Sequence, residues 1–347
     1  MNENVFHVKL SPRSYAMSSL ILAGDVGGTK TWLGLFRPDR PRPTPVETRR
    51  YQTLEFDALA QIVALFLEQH GTSDRIAAAC FGVAGPVQRN VATLTHVSWV
   101  IDGTDLATQL GLESAWLLND LIATSHAVAT LADSELACLQ PGVRDDDSSV
   151  ALIAPGTFLG EALLHRVEGR LRPAPSEGGH TDFAPRNPRE LELARTRIAS
   201  HGRIALEDVV SGHGLLNLFS FTHRSRACQA GLEVDGPPNM SLPSAISSAA
   251  MKNRCVACAE TLDLFVSALG AAAGNLALRS VATAGVYIGG GIAPHILPWL
   301  QSGRFLDAFR DKGPMRPLLE RTPVSVILRS DAALLGAAAY AHDRLPR

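Results

Sequence analysis

Very little in this chain points to a nucleic acid, a membrane or an oxidising compartment. Its 32 basic and 34 acidic residues leave a formal charge of −2, which excludes the positive footprint of a polyanion-binding surface. No apolar run approaches the ~20 residues needed to span a bilayer, so no membrane partner is expected. The opening stretch from Met1 to Ser19 lacks the apolar segment of a secretory signal and reads as a loose extension, with Met17 an alternative start. Five cysteines (Cys80, Cys138, Cys228, Cys255, Cys258) are few and odd in number, which suits reduced thiols rather than a disulfide framework. Cys255 and Cys258 have C-x-x-C spacing, but no second pair follows at zinc-ligand distance. In an Ala-rich helical stretch their i, i+3 spacing reads as packed thiols. Also missing are G-x-x-x-x-G-K-[ST] and G-x-G-x-x-G, so P-loop, protein-kinase and dinucleotide-binding readings lack their signatures.

What is present indicates a large α/β protein. At 347 residues, 46% hydrophobic and 19% charged, the chain exceeds the size of a single growing core, and two lobes are expected. Leu20–Ala23 reads as a buried strand that turns at Gly24-Asp25-Val26-Gly27-Gly28-Thr29-Lys30 and returns as Thr31–Phe36, a tight β-hairpin. Leu59, Ile62, Val63, Phe66 and Leu67 recur at helical spacing before Gly71. Ile76–Val83 and Ala115–Leu118 are short apolar strands, the second ending at Asn119-Asp120 where a helical pattern begins. After a polar loop at Asp145–Ser149, the opening pattern returns: strand Val150–Ala154, a Gly-bearing turn at Pro155–Gly160, and strand Glu161–Val167. Two strand–turn–strand units, one in each half, indicate an internal duplication whose turns face each other across a cleft. Gly285–Ile288 is a strand running into Gly289-Gly290-Gly291, with a helix expected from Pro294 and a last helix over Ala332–His342.

Several residues are equipped for phosphate and hydroxyl chemistry. Glycines at Gly24, Gly27 and Gly28 let backbone N–H groups approach a phosphate, Thr29 and Lys30 add donors, and Asp25 can hold hydrated Mg²⁺. An ordinary hairpin turn accounts for the same residues. Asp120, at a strand end where ligands of α/β proteins gather, can accept the proton of a hydroxyl attacking a γ-phosphoryl group. Asn or Asp at that point is also a common helix N-cap. Pro175–Pro185 crowds Glu177, His180 and Asp182 around Gly178 and Gly179, which suits a polyhydroxylated ligand or a capped surface loop. Glu207 alone reads as a solvated helix charge.

The segments GDVGGTK, FGVAGPV, LLND, SEGGHTDFAP, EDVVSGHGLLNL, GNLAL, GVYIGGGIAP and FRDKGPM resemble the bacterial glucokinase family over about Leu20 to Tyr340. The resemblance implies the two-lobed actin-like, ribonuclease-H-like ATPase fold: mixed sheets, helices on both faces and a cleft between lobes. It divides the chain into a small lobe (20–130 with about 326–347) and a large lobe (131–325), after an extension over 1–19. It implies ATP-dependent phosphorylation of glucose at O6 with Mg²⁺, in a cytoplasmic homodimer. Carried over by residue, Gly24, Asp25, Val26, Gly27, Gly28 and Thr29 match the first ATP-phosphate turn, and Gly156 and Thr157 belong to the second. Gly289 and Gly290 match the turn near the adenosine. Asn119 and Asp120 match the sugar-binding pair, with Asp120 as general base. Glu177 and His180 match residues that hold sugar hydroxyls, and Glu207 matches the carboxylate that completes the sugar shell from a helix.

The chain departs from the family pattern in three places. The second phosphate turn has Phe158 where Gly is usual. A positive φ at that position would strain Phe158 by roughly 1–3 kcal/mol. Alternatively its ring enters the cleft, or it points away and leaves the backbone donors in place. His96 stands where Asn is usual, and Ser330-Asp331-Ala332 where Asn-Pro-Gly is usual. The Cys-rich zinc signature of the related repressor/kinase group is absent. The competing readings are a kinase for another hexose and a sugar-binding regulator with impaired transfer.

Overall fold

A computed structural model describes residues 19–71, 74–94, 97–233 and 242–345. The expectations for residues 1–18, for Met17 as a start and for His96 lie outside the described residues.

Strand β1 (Ser19–Val26) turns into β2 (Lys30–Arg37), and β3 (Thr44–Gln52) continues the antiparallel meander. Helix α1 (Leu59–His70) buries Leu59, Ile62, Val63 and Phe66 along one face and ends at Gly71 in the left-handed conformation. Strand β4 (Arg75–Val83) then pairs parallel with β1. A small sheet of β5 (Val87–Gln88), β6 (Val91–Thr93) and β7 (Val100–Asp102) leads into α2 (Gly103–Gln109), capped by the Asp102 side chain. Strand β8 (Ala115–Asn119) joins β4 in parallel, and α3 (Asp120–Val128) leaves its end. The first sheet runs β3-β2-β1-β4-β8.

The second half repeats the arrangement. Strand β9 (Leu136–Gln140) precedes the meander of β10 (Val150–Pro155), β11 (Leu159–Val167) and β12 (Arg170–Ser176). Helices α4 (Pro188–His201), α5 (Gly212–His223), α6 (Leu242–Met251) and α7 (Val256–Ser280) follow. Next come β13 (Gly285–Ile288), the short helices α8 (Ile292–His295) and α9 (Leu297–Leu300), α10 (Arg304–Arg310), α11 (Arg316–Arg321) and β14 (Val324–Ile327). The sheet order is β12-β11-β10-β13-β14-β9, with β13 and β14 parallel to β10 and β9 an added antiparallel edge. Meander, then parallel strands: the duplication expected from the two turns exists as a shared topology. The helix expected from Pro294 is instead two short pieces, starting at Ile292 and interrupted at Ile296.

The final helix α12 (Ala332–His342) returns to pack beside α3. One apolar cluster joins Ile21, Ala23 and Cys80 of the first sheet, Ala123 and Ala127 of α3, Leu334, Leu335 and Ala338 of α12, and Leu152 and Leu164 of the second sheet. The two helices are therefore the layer between the sheets. Their close approach depends on Gly336, where a Cβ would stand 1.7 Å from the Ala123 carbonyl oxygen. Where the chain crosses between halves, Glu135 accepts from Arg42 Nη1 at 2.7 Å and from Arg329 Nη1 at 2.6 Å, and its backbone carbonyl accepts from Leu328 N–H at 2.9 Å. The Arg42 hydrogen bond, helped by Arg329, holds the Glu135 carboxyl at about 2.

Helix α7 is the longest helix among the described residues. It runs for 25 residues, and its most apolar stretch, with mean hydropathy 1.5, is apolar enough to cross a membrane, but 67% of that stretch is buried inside the protein. Leu262, Phe265, Val266 and Leu269 sit in the core of the second half, each such burial contributing about 1.5–3 kcal/mol.

Candidate active site

The parallel strands of each sheet end on one edge, where side chains from successive strands converge. In the first sheet Asp25 lies across from Gly82 of β4, and Val83 lies across from Asn119 of β8. Gly27 N–H donates to the Lys30 carbonyl at 3.0 Å, closing the hairpin over Gly28 and Thr29. A residue not expected from the sequence, Thr53, buttresses this turn: its Oγ1 donates to the Gly27 carbonyl at 2.8 Å and lies 2.9 Å from Thr31 Oγ1.

Asn119 is the N-cap of α3, with Oδ1 accepting from Leu121 N–H at 3.0 Å and Nδ2 donating to the Gly85 carbonyl at 3.2 Å. Capping therefore uses the side-chain oxygen, while the amide also hydrogen-bonds the Asp120 carboxylate and so works against its burial. Asp120 is the first helical residue, and its Oδ1 accepts from Leu121 N–H at 2.8 Å. Burial raises the carboxyls of both Asp120 and Asp25. For Asp25, burial and then the charge of Asp120 push the value to about 7, against a smaller opposing pull from Arg50. Arg50 itself lies over the Trp32 ring, 3.7 Å from its centroid.

This burial has a consequence for stability. Folded Asp25 keeps its proton to about 7, whereas its unperturbed value is 3.8, so over that range the folded state binds more protons. The contribution is fully present below the unfolded value and is lost as pH rises through the folded one. Without Mg²⁺ or nucleotide, Asp25→Asn is expected to lose less melting temperature between pH 5 and 8 than the parent. Melting curves across that range check this, and parallel profiles would remove Asp25 from the linkage.

The second cluster forms where β12 ends. His180 Nδ1 lies 2.9 Å from Glu207 Oε1, and His180 Nε2 lies 4.0 Å from Glu177 Oε2. Glu207 is not on a helix, as the sequence reading had it. It lies in the turn before α5, because Glu207 N–H donates to the Gly179 carbonyl at 2.9 Å and Leu206 N–H to the Thr181 carbonyl at 2.8 Å. Those bonds fold the turn onto the loop and leave the Glu207 side chain only 18% exposed. Contact between β11 and α3 joins this cluster to Asp120: a Cβ on Gly160 would meet Leu121 Cδ2 at 2.9 Å. Glu161, also missed from sequence, is buried beneath Gly178. Its Oε2 has no hydrogen-bond partner, Arg279 Nη1 stands 3.6 Å away, and burial raises its carboxyl.

The second Gly-bearing turn is closed by Gly156 N–H donating to the Phe158 carbonyl at 2.9 Å, and the Gly156 carbonyl accepts from Gly212 N–H of α5 at 2.8 Å. Phe158 is not among the residues with positive φ, so the strain expected there is absent. The residue is 46% exposed, and its ring meets His213 edge-on, with centroids 5.2 Å apart. Beside this turn opens a cavity of ≈ 450 Å³ walled by Leu215, Leu216, Met251, Ile292 and Ile296, with Gly156 and Thr157 at its rim. Gly289 extends β13 by donating to the Ile153 carbonyl at 2.8 Å, Gly290 turns with φ 77°, and Gly291 faces the cavity. The α6 wall carries no nucleotide motif, and no signal in the sequence marked it.

Solved structures share this architecture. The glucokinase from an Antarctic psychrotroph superimposes with a TM-score of 0.82 at 28% identity, covering 93% of this chain and 99% of that one. A ROK family glucokinase from Streptomyces griseus, solved in complex with glucose and AMPPNP, shares the fold with a TM-score of 0.63 at 20% identity, covering 93% and 99%. The paired sheets, the helical layer and the Gly turns define an ATP-dependent hexose kinase of the two-lobed actin-like class. The family model described as Glucokinase matches residues 22–344. The glucokinase of Nostoc punctiforme is 38% identical over 338 residues, spanning 92% of this chain and 98% of the relative, and that of Synechocystis sp. is 36% identical over 350 residues, spanning 94% and 99%. The chain belongs to the glucokinase family, enzymes that phosphorylate glucose at the expense of ATP.

Proposed function

We propose that the chain transfers the γ-phosphoryl group of ATP to O6 of glucose, with Asp120 as the general base that takes the O6 proton. The observation that carries this reading is the position of Asp120: buried at the strand edge beside Asp25, and linked through Leu121 and Gly160 to the His180–Glu207 cluster. Glucose lies between them, its hydroxyls held by Asn119, Asp120, Glu177, His180 and Glu207. A carboxylate accepts from sugar hydroxyls, while the Asn119 amide donates when it turns to the sugar. The backbone of Gly24–Thr29 and of Gly156–Thr157 faces the phosphates, and the apolar cavity beyond Gly291 takes the adenosine. Closure over the sugar excludes water and aligns O6 with the γ-phosphorus.

Asp25 fits a Mg²⁺ ion held through water: two buried carboxyls repel each other there, with Arg50 the opposing charge. Bound Mg²⁺ supplies neutralisation of the phosphate charge. In this reading the small lobe is residues 20–130 with about 326–347 and the large lobe 131–325. The enzyme acts in the cytoplasm as a homodimer, as the family resemblance implies.

The test is ADP release from Mg·ATP with glucose, run beside mannose, fructose and glucosamine. Glucose is expected to exceed each analogue in kcat/KM by at least about tenfold, because unpaired site groups penalise a misplaced hydroxyl. Glucose binding by calorimetry without turnover would overturn the proposal and leave a sugar-binding regulator.

A further inference from the structure

The thiols read from sequence as packing residues do not stand alone. The chain folds back so that His223 at the end of α5 and Cys228 in the following loop meet Cys255 and Cys258 at the start of α7. Their four ligand atoms all lie within 4.8 Å of one another. Cys228 Sγ is 3.7 Å from Cys258 Sγ, and His223 Nε2 is 3.4 Å from Cys255 Sγ and 3.9 Å from Cys258 Sγ. Zinc bonds to sulfur at about 2.3 Å and to nitrogen at about 2.0–2.1 Å, so a tetrahedral site separates its ligand atoms by roughly 3.5–3.8 Å. The three spacings of 3.4, 3.7 and 3.9 Å lie within about 0.1 Å of those tetrahedral edges, and the remaining pairs lie within 4.8 Å, close enough for the side chains to draw in around an ion. They are far beyond the ~2.05 Å of a disulfide.

The surroundings are arranged for metal binding as well. His223 Nδ1 lies 2.9 Å from the Phe219 carbonyl, an acceptor that fixes the proton on Nδ1 and turns the Nε2 lone pair toward the three sulfurs. The ring is stacked on Phe219, with centroids 3.9 Å apart, which sets its plane. Cys255 and Cys258 are 2% and 0% exposed, and backbone N–H groups of Cys258 and Gln229 are directed at the Cys255 sulfur. Four protein ligands with no open position are the pattern of a structural site rather than a catalytic one.

We propose that His223, Cys228, Cys255 and Cys258 bind one structural Zn²⁺. The site fastens the two ends of the segment that carries α6. Gly212 and His213 at the start of α5, and Pro243, Ser247 and Met251 of α6, line the cavity that the proposed function assigns to adenosine. Zinc at the far end of α5 therefore fixes the wall of that cavity without touching a substrate. The metal prediction is independent of the kinase reading, because its primary readout is stoichiometry.

The experiment is elemental analysis of untagged full-length protein prepared with Zn²⁺ in the medium and no chelator. About one zinc per chain is expected, with Cys228→Ser and Cys258→Ser each falling below about 0.2. The parent protein loaded with Co²⁺ alone should show sulfur-to-cobalt charge-transfer and tetrahedral d–d absorption, a readout that does not depend on variants folding. Stripping the metal is expected to lower the melting temperature and to raise KM for ATP more than KM for glucose. Parent protein with under about 0.2 zinc per chain and no cobalt spectrum would overturn the proposal. So would a Cys228–Cys258 disulfide in protein prepared without oxidant.

Discussion

Asp120→Asn is expected to lower kcat by about 10²–10⁴-fold while leaving the glucose dissociation constant within about threefold of the parent. The substitution keeps the shape of the side chain and an oxygen able to accept from Leu121 N–H, the bond that Asp120 Oδ1 makes at 2.8 Å. The first turn of α3 therefore stays in place, and only the ability to take a proton is lost. Burial raises the Asp120 carboxyl, so the parent rate should climb with pH through an acid limb displaced above the usual carboxylate range. The residual rate of the variant should lack that limb. Calorimetry with glucose and single-turnover kinetics separate the two effects. A variant with near-parent kcat would remove Asp120 from the role of base.

Gly336→Ala, although it adds one methyl group to a helix, is expected to destabilise the protein by about 2–4 kcal/mol, a fall of roughly 5–10 °C in melting temperature. Alanine is normally the better helix residue by about 1 kcal/mol, so intrinsic propensity has the opposite sign. Packing decides the outcome. A Cβ at Gly336 would stand 1.7 Å from the Ala123 carbonyl oxygen and 2.9 Å from the Ala127 nitrogen, and neither backbone atom moves without its helix. Relief requires α3 and α12 to separate within the layer between the sheets, where Ala123, Ala127, Leu334, Leu335 and Ala338 are fully buried or nearly so. Because Asp120 begins α3, the same displacement should also reduce kcat. Thermal melting monitored by circular dichroism checks the prediction, and a shift under about 2 °C would contradict it.

Local chemistry made much of this arrangement readable in the sequence. A continuous apolar run and a Gly-rich turn marked β1 and β2, helical spacing marked α1, and the run of small apolar residues marked α12. The SEGGHTD segment stood out because it gathers the hydrogen-bonding groups of Glu, His and Asp around two glycines. Features that depend on distant partners were not readable. Glu207 was taken for a helix charge because its place is set by hydrogen bonds to Gly179 and Thr181, remote in the chain. Cys255 and Cys258 were read as a pair because Cys228 and His223 join them only after α5 and α7 pack together. Phe158 looked strained by comparison with Gly, yet its backbone keeps a negative φ and its ring rests on His213. Glu161 gave no signal at all, since a carboxylate within an apolar strand shows its burial only in three dimensions.

The Glu135 ion cluster has a mechanical meaning. The chain passes between the halves twice, from α3 to β9 and from β14 to α12, and both passages meet at this one residue. Its carboxylate also grips Arg42, in the loop between β2 and β3. The halves are thus tied twice over, by the apolar α3–α12 layer between the sheets and by this ion cluster at the crossing. Losing the Glu135 carboxylate would leave both Arg42 and Arg329 without it, so one residue clasps the two crossings and the β2–β3 loop together as a knot holds separate threads.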